Sequence, residues 1–274
     1  MKEIRILSLG AGVQSTTLAL LAVHGEIEKP SDAIFADTGW EPKEVMDHLK
    51  WLTPVMEEAG IKLHIVSDGS LREDVLQART SKGFTPMPIY TALNGQSTGM
   101  GRRSCTQLYK IKPIVRKQRE LIGLKKGERW KKELHGQIVN LMGISVDEVQ
   151  RAKDNPNKFI RNEFPLLDKR MKRSDCIKWL DDHGYSAPRS ACLGCPYHSN
   201  KEWKELKENP VYWADIVEFD EGIRSLRSDN SESFTGEQYL HKVCKPIDEV
   251  DLRSEEERGQ GTLFDAECEG MCGI

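Results

Sequence analysis

The chain has 274 residues, of which 38% are hydrophobic and 30% charged, and its formal net charge is -3 at pH 7. This composition is typical of a soluble globular protein, and the sequence has neither low-complexity tracts nor internal repeats, so intrinsic disorder is not expected. The slightly negative charge also excludes a uniformly basic surface of the kind that binds nucleic acid without selectivity.

The first half of the chain predicts strands that alternate with helices. Short β-favouring runs are separated by stretches in which apolar residues recur at helical spacing. The predicted strands are Ile4–Leu7, Ala33–Ala36, Lys62–Val66 and Ile138–Met142. The helix after the second strand contains Pro54, which is expected to kink or split it. This order predicts an α/β fold, with a parallel sheet covered by helices on both faces.

A glycine-containing loop, Ser8-Leu-Gly-Ala-Gly-Val-Gln-Ser-Thr16, joins the first strand to the first helix. Gly10 and Gly12 let the backbone approach an anion, and the amides at the helix N-terminus then point at that anion. The hydroxyls of Ser15 and Thr16 are further donors. The alternative is a tight turn in which the glycines serve only the geometry. The loop matches neither GxxxxGK[ST] nor GxGxxG, so the residues favour neither a P-loop nor a Rossmann fingerprint.

The loop resembles the PP-motif of adenine-nucleotide alpha hydrolases. Its Gly12-Val13-Gln14 step is similar to the variant carried by the PAPS reductases of that group. Relative to the usual SGGKDS form, Gly10 stands in place of the first serine, Val13 in place of the lysine and Gln14 in place of the aspartate.

Three later segments extend the resemblance, in order, over residues 8 to 195. Asp37-Thr38-Gly39 resembles the DTG segment of the family, although DTG alone is also a common turn. The segment from Cys105 to Pro113 is similar to Cys-Cys-x-x-x-Lys-x-x-Pro, with Thr106 at the second cysteine. The segment from Gly143 to Arg151 resembles G-[IL]-R-x-D-E-S-x-x-R, whose acidic pair is otherwise a solvated helix start.

The resemblance implies a HUP-type fold and a bound adenine nucleotide. It places the nucleotide at Ser8, Gly10, Ala11, Gly12, Gln14, Ser15, Thr16, Asp37, Thr38 and Gly143. It implies catalytic roles for Ser15, Asp37, Arg103, Lys110 and Arg151, with Arg102 as a further cation for the α-phosphate. With ATP, attack on the α-phosphorus would release pyrophosphate and leave an adenylated substrate, and magnesium would neutralise the leaving group.

From about Phe164 onward the strand signal fades, and the chain becomes helical, loop-rich and cysteine-rich. We predict a nucleotide-binding α/β domain over 1–163 and a C-terminal subregion over 164–274 that packs on it. Cys176 lies in a predicted helix, Ser174–Asp182, and is expected in the core. Three further residues are expected in the core rather than on a base-stacking platform: Trp203, Trp213 and Ile216.

The cysteines predict a metal site rather than disulfides. The N-terminus has no signal-peptide pattern and no apolar run approaches the roughly 20 residues of a membrane span, so we expect a cytoplasmic protein with reduced thiols. Cys192-Leu-Gly-Cys195 and Cys268-Glu-Gly-Met-Cys272 form two closely spaced pairs. Zinc and an iron-sulfur cluster both suit such pairs, and unrelated buried cysteines are the alternative.

The resemblance favours a 4Fe-4S cluster, with zinc as the alternative. Cys105, Cys192 and Cys195 would then be three ligands, and the fourth would be Cys268 or Cys272. Otherwise both tail thiols bind and Cys105 is free, or the tail is a mobile thiol arm loosely similar to the ECG[LI]H terminus of PAPS reductases. His198 is either a zinc ligand or an exposed side chain.

The motifs together look most like the SspD-type and DndC-type ATP pyrophosphatases of DNA phosphorothioation. This reading implies that ATP adenylates an acceptor, that a cysteine desulfurase supplies sulfur, and that the acceptor is DNA or part of a DNA-modification complex. No membrane partner is expected. The alternatives are reduction of APS or PAPS to sulfite, tRNA thiolation, and a nucleotide-binding scaffold without catalysis.

Overall fold

The structure, a computed structural model, describes residues 3–77, 86–224, 236–253 and 257. The strands in these ranges are β1 (Ile4–Leu9), β2 (Asp32–Asp37), β3 (Lys62–Ser67), β4 (Tyr90–Leu93), β5 (Gln96–Met100), β6 (Ile138–Met142), β7 (Ile160–Glu163) and β8 (Glu237–Tyr239). The α-helices are α1 (Val13–Val23), α2 (Lys43–Glu58), α3 (Leu71–Leu76), α4 (Lys112–Leu121), α5 (Pro165–Asp168), α6 (Arg173–Asp182), α7 (Asn200–Lys207) and α8 (Pro210–Arg224). Within the described ranges, no helix is both long and apolar enough to span a membrane.

A five-stranded sheet organises the fold, in the order β3-β2-β1-β6-β7. All four strand pairs are parallel, and Leu7 of β1 lies opposite Ala33 on one side and Leu141 on the other. The predicted parallel α/β fold is therefore confirmed, and β7 is an edge strand that the sequence did not predict. The strand order reverses between β1 and β6, which places a crevice at the carboxyl ends of these two strands.

Helices cover both faces of the sheet, as predicted. On one face Leu7 and Phe35 pack with buried residues of α1, α2 and α6. On the other face Ile6 and Ile34 pack with Ile114 of α4. Neighbouring residues of one strand point to opposite faces, so a strand buried on both sides must be apolar throughout. Pro54 lies inside α2, which continues as a single helix from Lys43 to Glu58, so the helix is not split.

A second, antiparallel sheet has the order β5-β4-β8. β4 and β5 form a hairpin whose turn residues, Asn94 and Gly95, have φ angles of 51° and 75°. Positive φ at both positions is the geometry of the type I′ turn, for which Asn-Gly is the preferred pair. The sequence analysis missed this hairpin, although the Asn-Gly pair was present as a signal.

A separate hydrophobic cluster joins α3, α7 and α8 to the segment around Cys192 and to residues 240–252. Trp203 and Ile216 are fully buried in it, and Trp213 packs against it, so the expected core positions are confirmed. Cys176 is buried in the main core, and burial raises the pKa of its thiol to about 11. The prediction that Cys176 is a core residue is therefore also confirmed.

Asp220 holds the end of α8 against the following chain. Its Oδ1 accepts a hydrogen bond of 2.8 Å from the Leu240 amide, and its Oδ2 accepts one of 3.0 Å from the Ile247 amide. The guanidinium of Arg224 also contacts Oδ2. Burial raises the pKa of this carboxyl, although the two amides and Arg224 oppose the shift. The carboxylate of Asp220 therefore joins α8 to two later backbone positions, Leu240 and Ile247.

Replacing Asp220 by asparagine should lower the free energy of unfolding by about 2–3 kcal/mol, because the buried Arg224 contact and one amide lose their acceptor. Urea denaturation followed by circular dichroism measures this difference. Asp248→Asn is the control, because Asp248 is exposed and should change stability by no more than about 0.5 kcal/mol. Equal urea midpoints for the two variants would show that the Asp220 carboxylate does not stabilise the end of α8 in this way.

Candidate functional site

The loop between β1 and α1 is held by the side chain of Ser15. The Gly10 amide donates to Ser15 Oγ at 3.2 Å, and Ser15 Oγ donates to the Gly12 carbonyl at 3.2 Å. Ala11 has a φ of 57°, which turns the chain sharply before α1 begins after Gly12. The amides of the first helical turn have no acceptor within the helix, so they form the positive end of its dipole. The serine thus shapes a loop that can receive an anion.

Two neighbours pack closely on this loop. A Cβ at Gly143 would lie 3.0 Å from the Ser15 amide nitrogen, so the chain after β6 touches the start of α1. A Cβ at Gly12 would lie 3.2 Å from Ser190 Cβ, and Ser190 Oγ donates to the Gly10 carbonyl. Ser190 was not predicted, and its position in the sequence gave no signal. The predicted residues of the two loops therefore meet at the crevice between β1 and β6.

Two predicted binding residues direct their hydroxyls into the protein. Ser8 Oγ donates to Asn140 Oδ1 at 2.8 Å, and Thr16 Oγ1 lies 2.9 Å from His48 Nε2. Both residues are buried, and burial lowers the pKa of His48. Any role of Ser8 and Thr16 in anion binding would accordingly be to hold the loop in place.

Gln14 lies at the centre of a polar network at the end of β6. Its Nε2 lies 3.3 Å from Glu148 Oε2 and 3.4 Å from Ser145 Oγ, and its Oε1 accepts from Arg173 at 3.0 Å. Glu148 Oε1 in turn lies 2.6 Å from Arg151. Burial raises the pKa of Glu148, and the charge of Arg151 opposes that rise. Glu148 is thus a buried member of the site rather than part of a solvated helix start.

Asp147 and Arg173 extend this network to α6. Asp147 is exposed, and its Oδ2 accepts from the Arg173 amide at 2.6 Å. Arg173 was not predicted as a site residue. Its only signal was membership in a basic run, Lys169–Arg173, which by itself indicates a solvated surface.

The Asp37-Thr38-Gly39 segment forms a turn at the end of β2. Asp37 Oδ1 accepts from the Gly39 amide at 2.7 Å. Gly39 has a φ of 71°, and a Cβ there would lie 2.9 Å from Ser70 Cα, so only glycine fits. Thr38 is buried and donates to Glu41 Oε1 at 2.9 Å. The turn is therefore fixed both by its own side chains and by the loop before α3.

Cys105, Cys192 and Cys195 line one small cavity that opens to solvent. Arg103 and Lys110 line the same cavity. Burial raises the pKa of Cys105, and the charges of Arg103 and Lys110 oppose the rise. Residues more than 80 positions apart in sequence thus contribute thiols and cations to a single cavity.

The cavity suits a thiolate-bound metal in its chemistry. Thiolates are the donors that iron-sulfur clusters and zinc take from proteins. Glu41 Oε1 lies 3.8 Å from Cys192 Sγ, and its buried Oε2 has no hydrogen-bond partner among the described residues. The described part of the chain nonetheless contains no group of three or more Cys, His, Asp or Glu arranged around one point. The predicted tail ligands, Cys268 and Cys272, lie outside the described residues.

The side chain of His198 is buried, so the expectation of an exposed side chain is wrong. Its side chain is 5% exposed, and its Nε2 lies 3.0 Å from the Cys192 carbonyl oxygen. The ring packs edge-on against Trp203, with 4.8 Å between the ring centroids. Burial, and secondarily the charge of Arg189, lower the pKa of His198 to about 4. The neutral ring of His198 therefore stabilises the Cys192–Cys195 turn through its contact with the Cys192 carbonyl.

Trp40 joins the turn after β2 to the Cys192–Cys195 turn. Its carbonyl accepts from the Leu193 amide at 3.1 Å. Its indole covers Gly194 so closely that a Cβ there would lie 2.0 Å from a ring carbon. The glycine of the CxxC motif is therefore required by packing, a reason that the sequence alone did not show.

Comparison with known proteins finds no matching family model and no matching curated protein. The functional interpretation therefore depends on the motifs and on the geometry described above.

Proposed function

We propose that the chain is an ATP pyrophosphatase of the PAPS-reductase-like group, with an adenine-nucleotide alpha-hydrolase (HUP-type) fold. It would adenylate an acceptor so that sulfur can be incorporated, in the cytoplasm and most simply in DNA phosphorothioation. One observation supports this most: the loop from Gly10 to Ser15 meets Gly143 at the β1–β6 crevice. A phosphate-binding loop at such a crossing point is where nucleotides bind in parallel α/β sheets.

In this proposal the α-phosphate lies over the start of α1. The loop amides and the helix dipole would stabilise its negative charge, and Ser15 would hold the loop in its binding shape. Arg151 would supply positive charge from the end of β6, while Glu148 keeps that side chain in place. Asp37, at the end of β2, lies at the same edge of the sheet. Ser15, Asp37 and Arg151 lie at or after the ends of three different strands, as is typical of a site at the carboxyl edge of a parallel sheet.

The reaction begins with attack of an acceptor oxygen on the α-phosphorus. A new oxygen–phosphorus bond forms, the bond to the β-phosphate breaks, and pyrophosphate leaves. Magnesium, when bound with the nucleotide, would neutralise the negative charge of that leaving group. A hydrosulfide equivalent, released by a thiol reductant from the persulfide of a cysteine desulfurase, would then displace AMP from the adenylated acceptor. Preorganised positive groups would account for most of the acceleration.

Cys105, Cys192 and Cys195 would hold a 4Fe-4S cluster or zinc, together with Cys268 or Cys272. An iron-sulfur cluster would supply electron transfer or a polarising charge near the acceptor. Arg103 and Lys110 would attract an anionic group to the cavity, since both line it with the three thiols. Arg103 also lies over the ring of Tyr197, 5.4 Å from its centroid, which fixes the direction of the guanidinium.

A second function, reduction of APS or PAPS to sulfite, is favoured by the same cations beside the thiols. A sulfonucleotide needs positive charge at its sulfate and a nearby thiol as nucleophile. Incubation with ATP, with APS and with PAPS separates the two reactions. Pyrophosphate release from ATP supports the first, whereas sulfite release supports the second. Neither product, with nucleotide still bound, would indicate a scaffold without catalysis.

For the first reaction, Ser15→Ala and Asp37→Ala should each lower pyrophosphate release from ATP by roughly 10- to 100-fold. This range corresponds to about 1.4–2.7 kcal/mol, as expected for the two neutral hydrogen bonds of Ser15 or the charge-assisted one of Asp37. Phosphate detection after treatment with inorganic pyrophosphatase measures the release. Ser31→Ala is the matched control, because Ser31 is exposed and precedes β2 at the opposite edge of the sheet. Full turnover in both site variants would refute the assignment of the site.

A further inference from the structure

Six exposed cations form a basic patch around the segment between α4 and β6. They are Lys125, Lys126, Arg129, Lys131, Lys132 and Lys158. The Gly136 amide donates to the Lys158 carbonyl at 3.0 Å, which places Lys158 beside this segment. Among the described residues, none of the six side chains forms an ion pair. The patch is therefore locally positive on a chain whose net charge is -3, although Glu128 and Glu133 lie within the same segment.

The backbone that carries the basic patch is held in one shape. The Glu128 amide donates to the Lys125 carbonyl at 3.1 Å, and the Lys125 amide donates to Glu128 Oε2 at 3.0 Å. Gly127 supplies the positive φ of this turn, 81°, and the guanidinium of Arg119 contacts the Glu128 carbonyl. Beneath the turn lies a hydrophobic cluster that includes Leu124, Trp130, Leu134 and Phe159. Little backbone ordering would therefore oppose the binding of an anionic partner.

The basic patch lies at the amino edge of the five-stranded sheet. Its residues precede β6 and β7, and the strands of this sheet are parallel. The loop from Gly10 to Ser15 and the residue Gly143 instead follow strand ends at the carboxyl edge. The patch is therefore separate from the proposed nucleotide site, and its cations take no part in that site.

The chemistry of the basic patch fits a phosphate backbone better than a protein partner. None of the large apolar side chains that the described residues expose lies in 122–136 or 152–161, whereas the centre of a stable protein interface is apolar. Contacts to a nucleic-acid backbone need chiefly positive charge. Sites for single strands present exposed aromatic rings to the bases, but Trp130 is half-buried, with 6.4 Å between its centroid and that of Phe159. A double helix therefore fits best.

We propose that the basic patch docks the phosphate backbone of duplex DNA, without reading its bases. The carboxyl edge of the sheet stays accessible while the amino edge holds the duplex. The choice of DNA over duplex RNA rests on the proposed function, in which DNA is the acceptor. Each phosphate that a cation neutralises should add about 0.9 to the steepness with which log Kd rises with log salt concentration.

The test measures the fluorescence anisotropy of a labelled DNA duplex of mixed sequence with the full chain, between about 50 and 200 mM NaCl. One variant removes four charges of the basic patch by changing lysine to glutamine at Lys125, Lys126, Lys131 and Lys132. It should raise the Kd for DNA by roughly tenfold or more and reduce the salt dependence by about one for each lysine that contacts a phosphate. Pyrophosphate release from ATP should not change.

The matched control removes four charges from the C-terminal half of the chain. It changes lysine to glutamine at four exposed positions, Lys201, Lys207, Lys242 and Lys245. The control should bind DNA within about twofold of the wild-type chain, because surface charges away from the contact are largely screened. Thermal unfolding of both variants shows whether they are folded.

The possible failures are distinguishable. An equal loss of DNA affinity in the two variants would refute the basic patch as the docking surface, and so would a wild-type chain that binds no DNA at about 50 mM NaCl. Tighter binding to duplex RNA, or to vesicles containing phosphatidylserine, would overturn the assignment to DNA. If DNA binds through the basic patch but ATP releases no pyrophosphate, the docking surface stands and the proposed function fails.

Discussion

Cys192→Ser is expected to yield a colourless protein where the wild-type chain, purified without oxygen, is brown. Cys192 lies in the cavity with Cys105 and Cys195, and a serine hydroxyl is a poor substitute for a thiolate on iron. The fall in metal affinity should exceed the roughly 10- to 100-fold caused by changes in outer-shell partners. Visible absorption together with iron and sulfide analysis measures the loss.

Cys244→Ser is the matched control for this experiment. Cys244 is also buried, but its Sγ contacts the Thr91 carbonyl rather than the thiol cavity. The control should keep the colour and the iron content of the wild-type chain. Stoichiometric zinc without iron, in protein made under iron-replete and oxygen-free conditions, would overturn the iron assignment. Iron retained in full by Cys192→Ser would overturn the ligand assignment itself.

Gly143→Val should weaken nucleotide binding and pyrophosphate release by about 100-fold or more. A Cβ at this position meets backbone atoms of Gln14 and Ser15 at 3.0–3.1 Å, and backbone cannot rotate away as a side chain can. The start of α1 must therefore shift, and displacements near 1 Å in a catalytic site cost about this much. Calorimetric titration with a non-hydrolysable ATP analogue measures the binding.

Gly127→Val controls for the general cost of a valine in a loop. Gly127 is exposed, has open space around its Cβ position and lies away from the crevice. Its positive φ makes the valine strained, so a loss of stability of about 1 kcal/mol is expected without a loss of nucleotide affinity. If Gly143→Val binds the analogue as tightly as the wild-type chain does, the nucleotide does not lie at this crevice.

The central part of the fold could be predicted from the sequence because its strands are strongly apolar. β1, β2 and β6 are buried on both faces, and each appeared as a β-favouring run next to a turn. β7 and β5 could not be recognised in this way. β7 reads IRNE and β5 reads QSTGM, so neither carries the apolar pattern of a buried strand. Their pairing is decided by neighbours that lie far away in sequence.

The motifs identified the loops of the candidate site but not what supports them. Ser190 and Arg173 contact the loop from Gly10 to Ser15 from more than 150 positions away, so no local pattern marks them. The burial of His198 was missed for the same reason, since it depends on Trp203 and on the Cys192 carbonyl. The sequence contains the residues that could perform chemistry, whereas their supporting contacts arise only from the tertiary structure.

The pairing of β1 with β6 also has a consequence for how the protein is made. Ile4 lies opposite Ile138, so the central pair of the sheet joins residues separated by most of the α/β region. Contacts at such separation form slowly, and synthesis proceeds from the N-terminus. Until Gly143 has been synthesised, the loop from Gly10 to Ser15 lacks the segment that packs against it in the folded protein. The crevice between β1 and β6 is therefore completed late in folding, after the chain on both sides of it has been made.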